Sequence, residues 1–101
     1  PRVVFTPAAQ NDLDEIFDYT ASHWGEAQAV RYIRDIQSLT GRLATEEAIS
    51  RPAEHIRSGY RKAQSGSHIL YFQEGEGRSL SFVFFIRKWT RTGISSVLRR
   101  Y

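Results

Sequence analysis

Cysteine and methionine are both missing from the 101 residues, and proline occurs three times. Without a thiol the chain has no disulfide, no thiolate nucleophile and no sulfur-ligated metal, which fits a reducing compartment. Histidine is scarce as well: His23, His55 and His68 include no pair at the i, i+4 spacing of a helical zinc site, so no metal and no other cofactor is expected. No apolar run approaches the roughly 20 residues that span a bilayer. The N-terminus also lacks a charged-then-apolar secretory pattern, so the expected location is the cytoplasm, away from membranes. Acidic charge is short in one half of the chain. Residues 1–50 hold four Arg and eight Asp or Glu, and residues 51–101 hold ten Arg or Lys against three Glu. The net charges, −4 and +7, describe an acidic first half and a basic second half. Such a field attracts nucleic acid, an acidic protein segment or the acidic surface of a larger machine.

What is present is the composition of a globular domain, 41% hydrophobic and 25% charged, and its length suits one domain over residues 1–101 with a single modest core. Arg2-Val3-Val4-Phe5 reads as a short strand. Thr6-Pro7 starts a helix, since the Thr hydroxyl accepts a free backbone N–H and Pro is tolerated where no donor is needed. Leu13, Ile16 and Phe17, with Thr20 or Ala21, form an apolar stripe over Pro7 to His23. Asp12, Asp14 and Glu15 are read as favouring the positive end of that helix. Trp24-Gly25 breaks the pattern, with Trp24 read as a buttress for the turn. A second helix follows from Glu26 to Leu43, with Ala29, Tyr32, Ile33, Ile36, Leu39 or Thr40, and Leu43 along one side. So short a connection predicts a helix hairpin. Thr45 to Ile49 suggests one more turn, and Ser50-Arg51-Pro52 suggests irregular chain.

The stretch from Gly59 to Arg87 reads as three strands joined by two hairpins, with turn residues at Ser65-Gly66 and Glu74-Gly75-Glu76-Gly77. Val83 to Ile86 is apolar throughout, as in a central strand with both faces occupied. A ribbon of this kind needs a cover, which the helix pair supplies. Beyond it, Ile94, Val97, Leu98 and Tyr101 share one side of a short helix from Thr92 to Tyr101, within a stretch that is basic and free of acid. The fold class is therefore α+β: an N-terminal strand, an antiparallel helix hairpin on a small, mostly antiparallel sheet, and a short C-terminal helix.

Chemistry is thinly marked. The Gly75/Gly77 run lacks the Lys-Ser/Thr of a phosphate loop, and its glutamates repel phosphate. Ser65-Gly66-Ser67-His68 puts hydroxyls near an imidazole without a carboxylate to complete a triad. RNA cleavage needs a base, an acid and cations on the nonbridging oxygens. Arg61, Lys62, Tyr71 and Arg87 are the set for that reading, although strand alternation sends Arg61 to the opposite face from Tyr60 and Lys62. The bland alternative is a solvated sheet face whose Arg and Lys keep an edge soluble. Trp89, amid Arg87, Lys88 and Arg91, suits either a core plug or an exposed contact.

Thr6-Pro7-Ala8-Ala9-Gln10-Asn11-Asp12-Leu13, Trp24-Gly25-Glu26-Ala27-Gln28-Ala29 with Tyr32, Ile56-Arg57-Ser58-Gly59-Tyr60-Arg61-Lys62 and Gly66-Ser67-His68-Ile69-Leu70-Tyr71-Phe72 together resemble the ParE branch of the ParE/RelE toxin superfamily. The resemblance covers residues 3 to about 86. It implies the toxin of a bacterial type II toxin–antitoxin module, a growth-arrest and plasmid-maintenance device. Such a toxin is non-enzymatic, is neutralised by a ParD-like antitoxin in a hetero-oligomer, and inhibits DNA gyrase by binding without sequence-specific contact to nucleic acid. On that resemblance, Arg57, Tyr60, Arg61, His68, Arg87, Lys88, Trp89 and Arg91 are the candidate target-binding residues. Leu13, Ile16, Phe17, Tyr32, Tyr71, Val97 and Leu98 are the candidate antitoxin contacts. The chain departs from the family pattern at the end of the last strand, where Arg87 stands in place of a His and Lys88-Trp89-Thr90-Arg91 follows. The alternatives are a ribosome-dependent mRNA interferase and a diverged, non-toxic binding protein that meets an acidic partner through Arg87–Tyr101.

Overall fold

In a computed structural model the described residues are 2–75 and 79–87, with Arg87 described by its main chain. Strand β1 (Val3–Phe5) leads into α1 (Pro7–Trp24) and α2 (Glu26–Ala44). Strands β2 (Arg51–Pro52), β3 (Tyr60–Ser65), β4 (His68–Glu74) and β5 (Leu80–Arg87) follow. The sheet order is β1-β5-β4-β3-β2; β1 runs parallel to β5 and the other neighbours are antiparallel. The expected α+β architecture is present. The expected helix from Thr92 to Tyr101 lies outside the described residues.

Thr6 caps α1 as expected, its side chain accepting the Ala9 N–H at 3.1 Å, with Pro7 in the first turn. Gly25, at φ 93°, ends α1 and precedes α2, a backbone angle that costs a residue without a side chain little. The helices pack on each other and on the sheet. Ala9, Leu13 and Ile16 from α1 and Ile36, Leu39 and Leu43 from α2 meet Ala63, Leu70, Phe72, Leu80, Phe82 and Phe85 in the main core. A second core lies on the sheet's other face, where Ala53, Tyr60, Tyr71, Val83, Phe84 and Ile86 pack with Ile56 and Ile69.

A bulge reconciles β5 with these two cores. Phe72 pairs with Phe82 and Tyr71 with Phe84, so Val83 is an extra residue on β5. Leu80, Phe82 and Phe85 thereby face the helices, while Val83, Phe84 and Ile86 face the second core. Strand β1 accompanies β5 only from Leu80 to Phe82. Past that point Thr6 donates its hydroxyl to the Val83 carbonyl at 2.7 Å, and the Phe85 N–H donates to Asp12 Oδ2 at 3.0 Å. Two side chains thus carry on the hydrogen bonding of a strand that has ended.

Four expectations change. Asp12 is not in the first turn and is buried, so it is a partner for β5 rather than a surface complement to the helix dipole. Trp24 is 62% exposed because the buried stripe of α1 ends at Thr20, one turn earlier, so it does not buttress the hairpin from within. Arg51–Pro52, expected to be irregular, forms an edge strand, a position where proline's missing N–H does no harm. Helix α2 runs on to Ala44, and Thr45 to Ile49 adds turn and bend rather than another helical turn.

Candidate functional site

The residues expected to touch partners do not form one patch; the sheet divides them. Arg61 lies on the helix side, where Nε donates to Ser50 Oγ at 2.7 Å and Nη2 donates to the Ser50 carbonyl at 3.0 Å. It borders a cavity of about 290 Å³ that also holds Glu46 and Glu74, carboxylates that oppose an anionic ligand there. Lys62 is on the other face, directly across from Tyr71. Arg61, Lys62 and Tyr71 therefore do not converge on a single phosphodiester. Arg87 ends β5 opposite His68, and its side chain is not described. Lys88, Trp89, Arg91, Val97 and Leu98 fall outside the described residues.

Burial reassigns several others. Leu13 and Ile16 fill the main core, so they hold the helices to the sheet and offer no surface to an antitoxin. Phe17, beside them, is half-buried. Tyr60 and Tyr71 sit in the second core with Phe84, the Tyr71 and Phe84 ring centroids 4.9 Å apart. The segment bearing Ala53 and Ile56 packs against this core, and for that reason Tyr60 does not present its ring to solvent. Arg57 is exposed, with its guanidinium carbon 6.0 Å from the Tyr60 ring centroid, at the outer limit of a cation–π contact.

Desolvation raises the Tyr71 pKa above 10.0. A phenol held protonated cannot serve as a base near neutrality. The same shift has a thermodynamic consequence. In the unfolded chain Tyr71 ionises near pH 10, whereas in the folded protein it keeps its proton to higher pH. Its contribution to stability is complete below pH 10 and is lost as pH rises through the folded value. Urea melts of the native protein should therefore weaken above pH 10 more steeply than those of Tyr71→Phe; parallel slopes would contradict the assignment.

Tyr32 and His68 come from the two separate candidate groups, yet they meet. The Tyr32 hydroxyl is 2.6 Å from His68 Nδ1, accepts the Ser67 N–H at 2.9 Å and lies 3.2 Å from the Ser65 carbonyl. His68 is thus engaged by a phenol of α2. Tyr32 clamps the β3–β4 turn, and Gly66 makes the approach possible: at φ 57°, an added Cβ would stand 2.6 Å from Tyr32 Cε1. Gly66→Ala should cost about 1–3 kcal/mol from the left-handed backbone and the displaced ring together. Thermal denaturation checks this, and Tyr32→Phe should lose part of the same stability by leaving the Ser67 N–H unpaired.

Two further openings lie among the described residues. At the β2–β3 edge, Ile49, Arg51, Lys62, Gln64 and Ile69 border a groove of about 540 Å³. Ile49 is 91% exposed there. Strand β2 pairs with Arg61 and Lys62, and among the described residues no strand pairs with the outer edge of β3 from Ala63 to Ser65. At the apex of the helix hairpin, Tyr19, Trp24 and Gln28 stand over Tyr32 and His68 around a cavity of about 190 Å³. A Trp beside a helix break reads as an inward buttress, whereas Trp24 is exposed, and that reading hides this apex. The spacing of Tyr19, His23 and Trp24, all beyond or beside the last buried turn, is the signal that marks it. Among the described residues no cluster of three His, Asp or Glu side chains is placed to hold a metal ion, and no helix is long and apolar enough to cross a membrane.

A sequence model described as the ParE toxin of the type II toxin–antitoxin system, parDE, matches residues 3–90. Toxin ParE1 of Mycobacterium tuberculosis (strain CDC 1551 / Oshkosh) is 44% identical over 77 residues, which cover 75% of this chain and 79% of that protein. Toxin ParE1 of Caulobacter vibrioides is 37% identical over 67 residues, 66% of this chain and 70% of that protein. Among solved structures, the chromosomal ParDE toxin–antitoxin system from P. aeruginosa superposes with a TM-score of 0.70 at 22% identity, covering 85% of this chain and 94% of the other. The RelBE2 toxin–antitoxin complex from Mycobacterium tuberculosis gives 0.55 at 16% identity, covering 85% and 95%, and both structures speak for the fold.

Proposed function

The chain belongs to the ParE toxin family of type II toxin–antitoxin systems, and from that premise we propose that it is the toxin of such a module, neutralised by a ParD-like antitoxin and acting on DNA gyrase by non-covalent binding. The observation that carries the antitoxin part is the β2–β3 edge. Extended chain can add to an edge strand through main-chain hydrogen bonds, with alternate side chains entering the flanking groove. Arg51 and Lys62 beside Ile49 and Ile69 select a segment that is acidic and apolar in alternation. Among the described residues the hydroxyl and guanidinium groups of the ribonuclease set do not converge, since Arg61 is across the sheet from Lys62 and Tyr71. A binding mode of action is consistent with that division.

Expression without the antitoxin should arrest growth, and co-expression of the neighbouring reading frame should restore it. The purified protein should inhibit gyrase supercoiling at micromolar concentration and leave translated messenger RNA intact. Normal supercoiling in the presence of folded protein would reject gyrase as the target, and ribosome-dependent cleavage would place the protein with the interferases. Reversing the edge charge with Arg51→Glu and Lys62→Glu should weaken antitoxin binding by about 30–150-fold, each position contributing about 1–1.5 kcal/mol. Isothermal titration measures it, and unchanged affinity would remove the edge as the docking site.

A further inference from the structure

The helix-hairpin apex has the chemistry of a receptor for one kind of side chain. Tyr19 and Trp24 have ring centroids 6.1 Å apart and are inclined at 58°, with Tyr32 deeper in the same cavity. His23 stacks on Tyr19 at 4.0 Å, with its Nδ1 2.8 Å from the Tyr19 carbonyl, which helps to fix that corner. Thr20 lines the cavity and is only 8% exposed. Its hydroxyl makes no hydrogen bond to any described residue. Buried polar groups are nearly always paired, so this one points to a bound partner. Between Asp14 and Gln28 the chain carries Asp14, Glu15, Asp18 and Glu26, all exposed, and no Lys or Arg. Glu26 also meets the positive end of α2, leaving the negative end of α1 as the local dipole.

Aromatic faces and a buried acceptor, on a stretch from Asp14 to Gln28 that carries acid and no base, call for a planar cation that donates hydrogen bonds. An ammonium is more strongly hydrated and lacks a plane to stack, whereas a guanidinium both stacks and donates. We infer that the apex pocket takes the arginine side chain of a protein partner, its guanidinium lying against Trp24 and donating to Thr20 Oγ1. The Gln28 amide oxygen is a second acceptor at the rim. The inference does not rest on the toxin reading, because the β2–β3 edge is basic and suits a segment of opposite charge. A partner that used both surfaces would have to carry acidic and basic segments in separate places.

The test uses the full chain and blocked tripeptides, Gly-Arg-Gly, Gly-citrulline-Gly and Gly-Phe-Gly, followed through the indole N–H signals in nuclear magnetic resonance. Trp24→Leu identifies the Trp24 signal by its loss. The arginine peptide should shift that signal saturably with a Kd of about 1 mM, and citrulline, which has the shape without the charge, should bind about tenfold more weakly. Trp24→Leu and Thr20→Val should each weaken arginine binding, by about tenfold and several-fold. Trp24→Leu should leave the melting temperature unchanged, since that side chain is mostly in solvent. Citrulline or phenylalanine binding as tightly as arginine would overturn the inference in favour of a neutral occupant. It also fails if the arginine peptide shows no saturation by about 10 mM, or if its affinity is untouched by Trp24→Leu and Thr20→Val.

Discussion

Phe82→Ala is expected to remove about 3–5 kcal/mol of stability, set against a total of roughly 5–15 kcal/mol for a domain of this size. Phe82 is 0% exposed. Its ring centroid lies 5.6 Å from that of Phe5, 4.9 Å from Phe72 and 6.3 Å from Phe85, so the vacated volume is walled by other rings. Those rings come from three strands, with β1 and β4 hydrogen-bonded to β5 on either side, and the frame leaves them little room to close inward. The cost should therefore approach the upper end of the range. Urea unfolding provides the measurement: the midpoint should fall sharply while the slope stays constant. Phe82→Leu, which keeps most of the volume, should lose less than half as much. A loss under about 1 kcal/mol for the alanine variant would mean that the cluster repacks freely, contrary to a core of interlocked rings.

Local chemistry made much of this fold legible. Thr6-Pro7 and Gly25 mark the ends of α1 because capping and left-handed backbone are decided within a few residues. The two hairpins follow from turn residues between β-forming runs, and the apolar run at Val83 to Ile86 correctly implies a strand covered on both faces. Tyr60 was less accessible to such reasoning. A tyrosine beside Arg61 and Lys62 has the local pattern of a wet edge, and what buries it is Ala53 and Ile56, from chain with no periodicity to announce a second core. Partner surfaces were hardest to read, since charge and residue type suggest a docking patch without saying which side of a pleat each residue takes. Alternation does separate Arg61 from Lys62 correctly, and Ser50 then explains why Arg61 stays where it is. The meeting of Tyr32 with His68 depends on a contact 36 residues apart in sequence, beyond any local pattern.

Asp12 had a signal of its own, and it supports the second large effect. It falls on the buried stripe of α1 with Ala9, Leu13, Ile16 and Thr20, a place where a carboxylate is costly unless it has a partner. The Phe85 N–H is such a partner, in buried surroundings and 73 residues away. Asp12→Ala should cost about 1–3 kcal/mol, the penalty for leaving a buried donor unsatisfied, because the amide it leaves has no water to turn to. Asp12→Asn keeps an acceptor of the same reach and should lose about 1 kcal/mol or less. Hydrogen exchange at the Phe85 amide separates this from general destabilisation. In Asp12→Ala that amide should exchange through local opening while the amides of β4 remain protected; in Asp12→Asn it should stay as slow as its neighbours. Equal protection in all three proteins would show that β5 does not need Asp12. The fold would then hold its central strand past the end of β1 by packing alone, and Thr6, donating to Val83, would be the remaining side chain shown to stand in for a strand there.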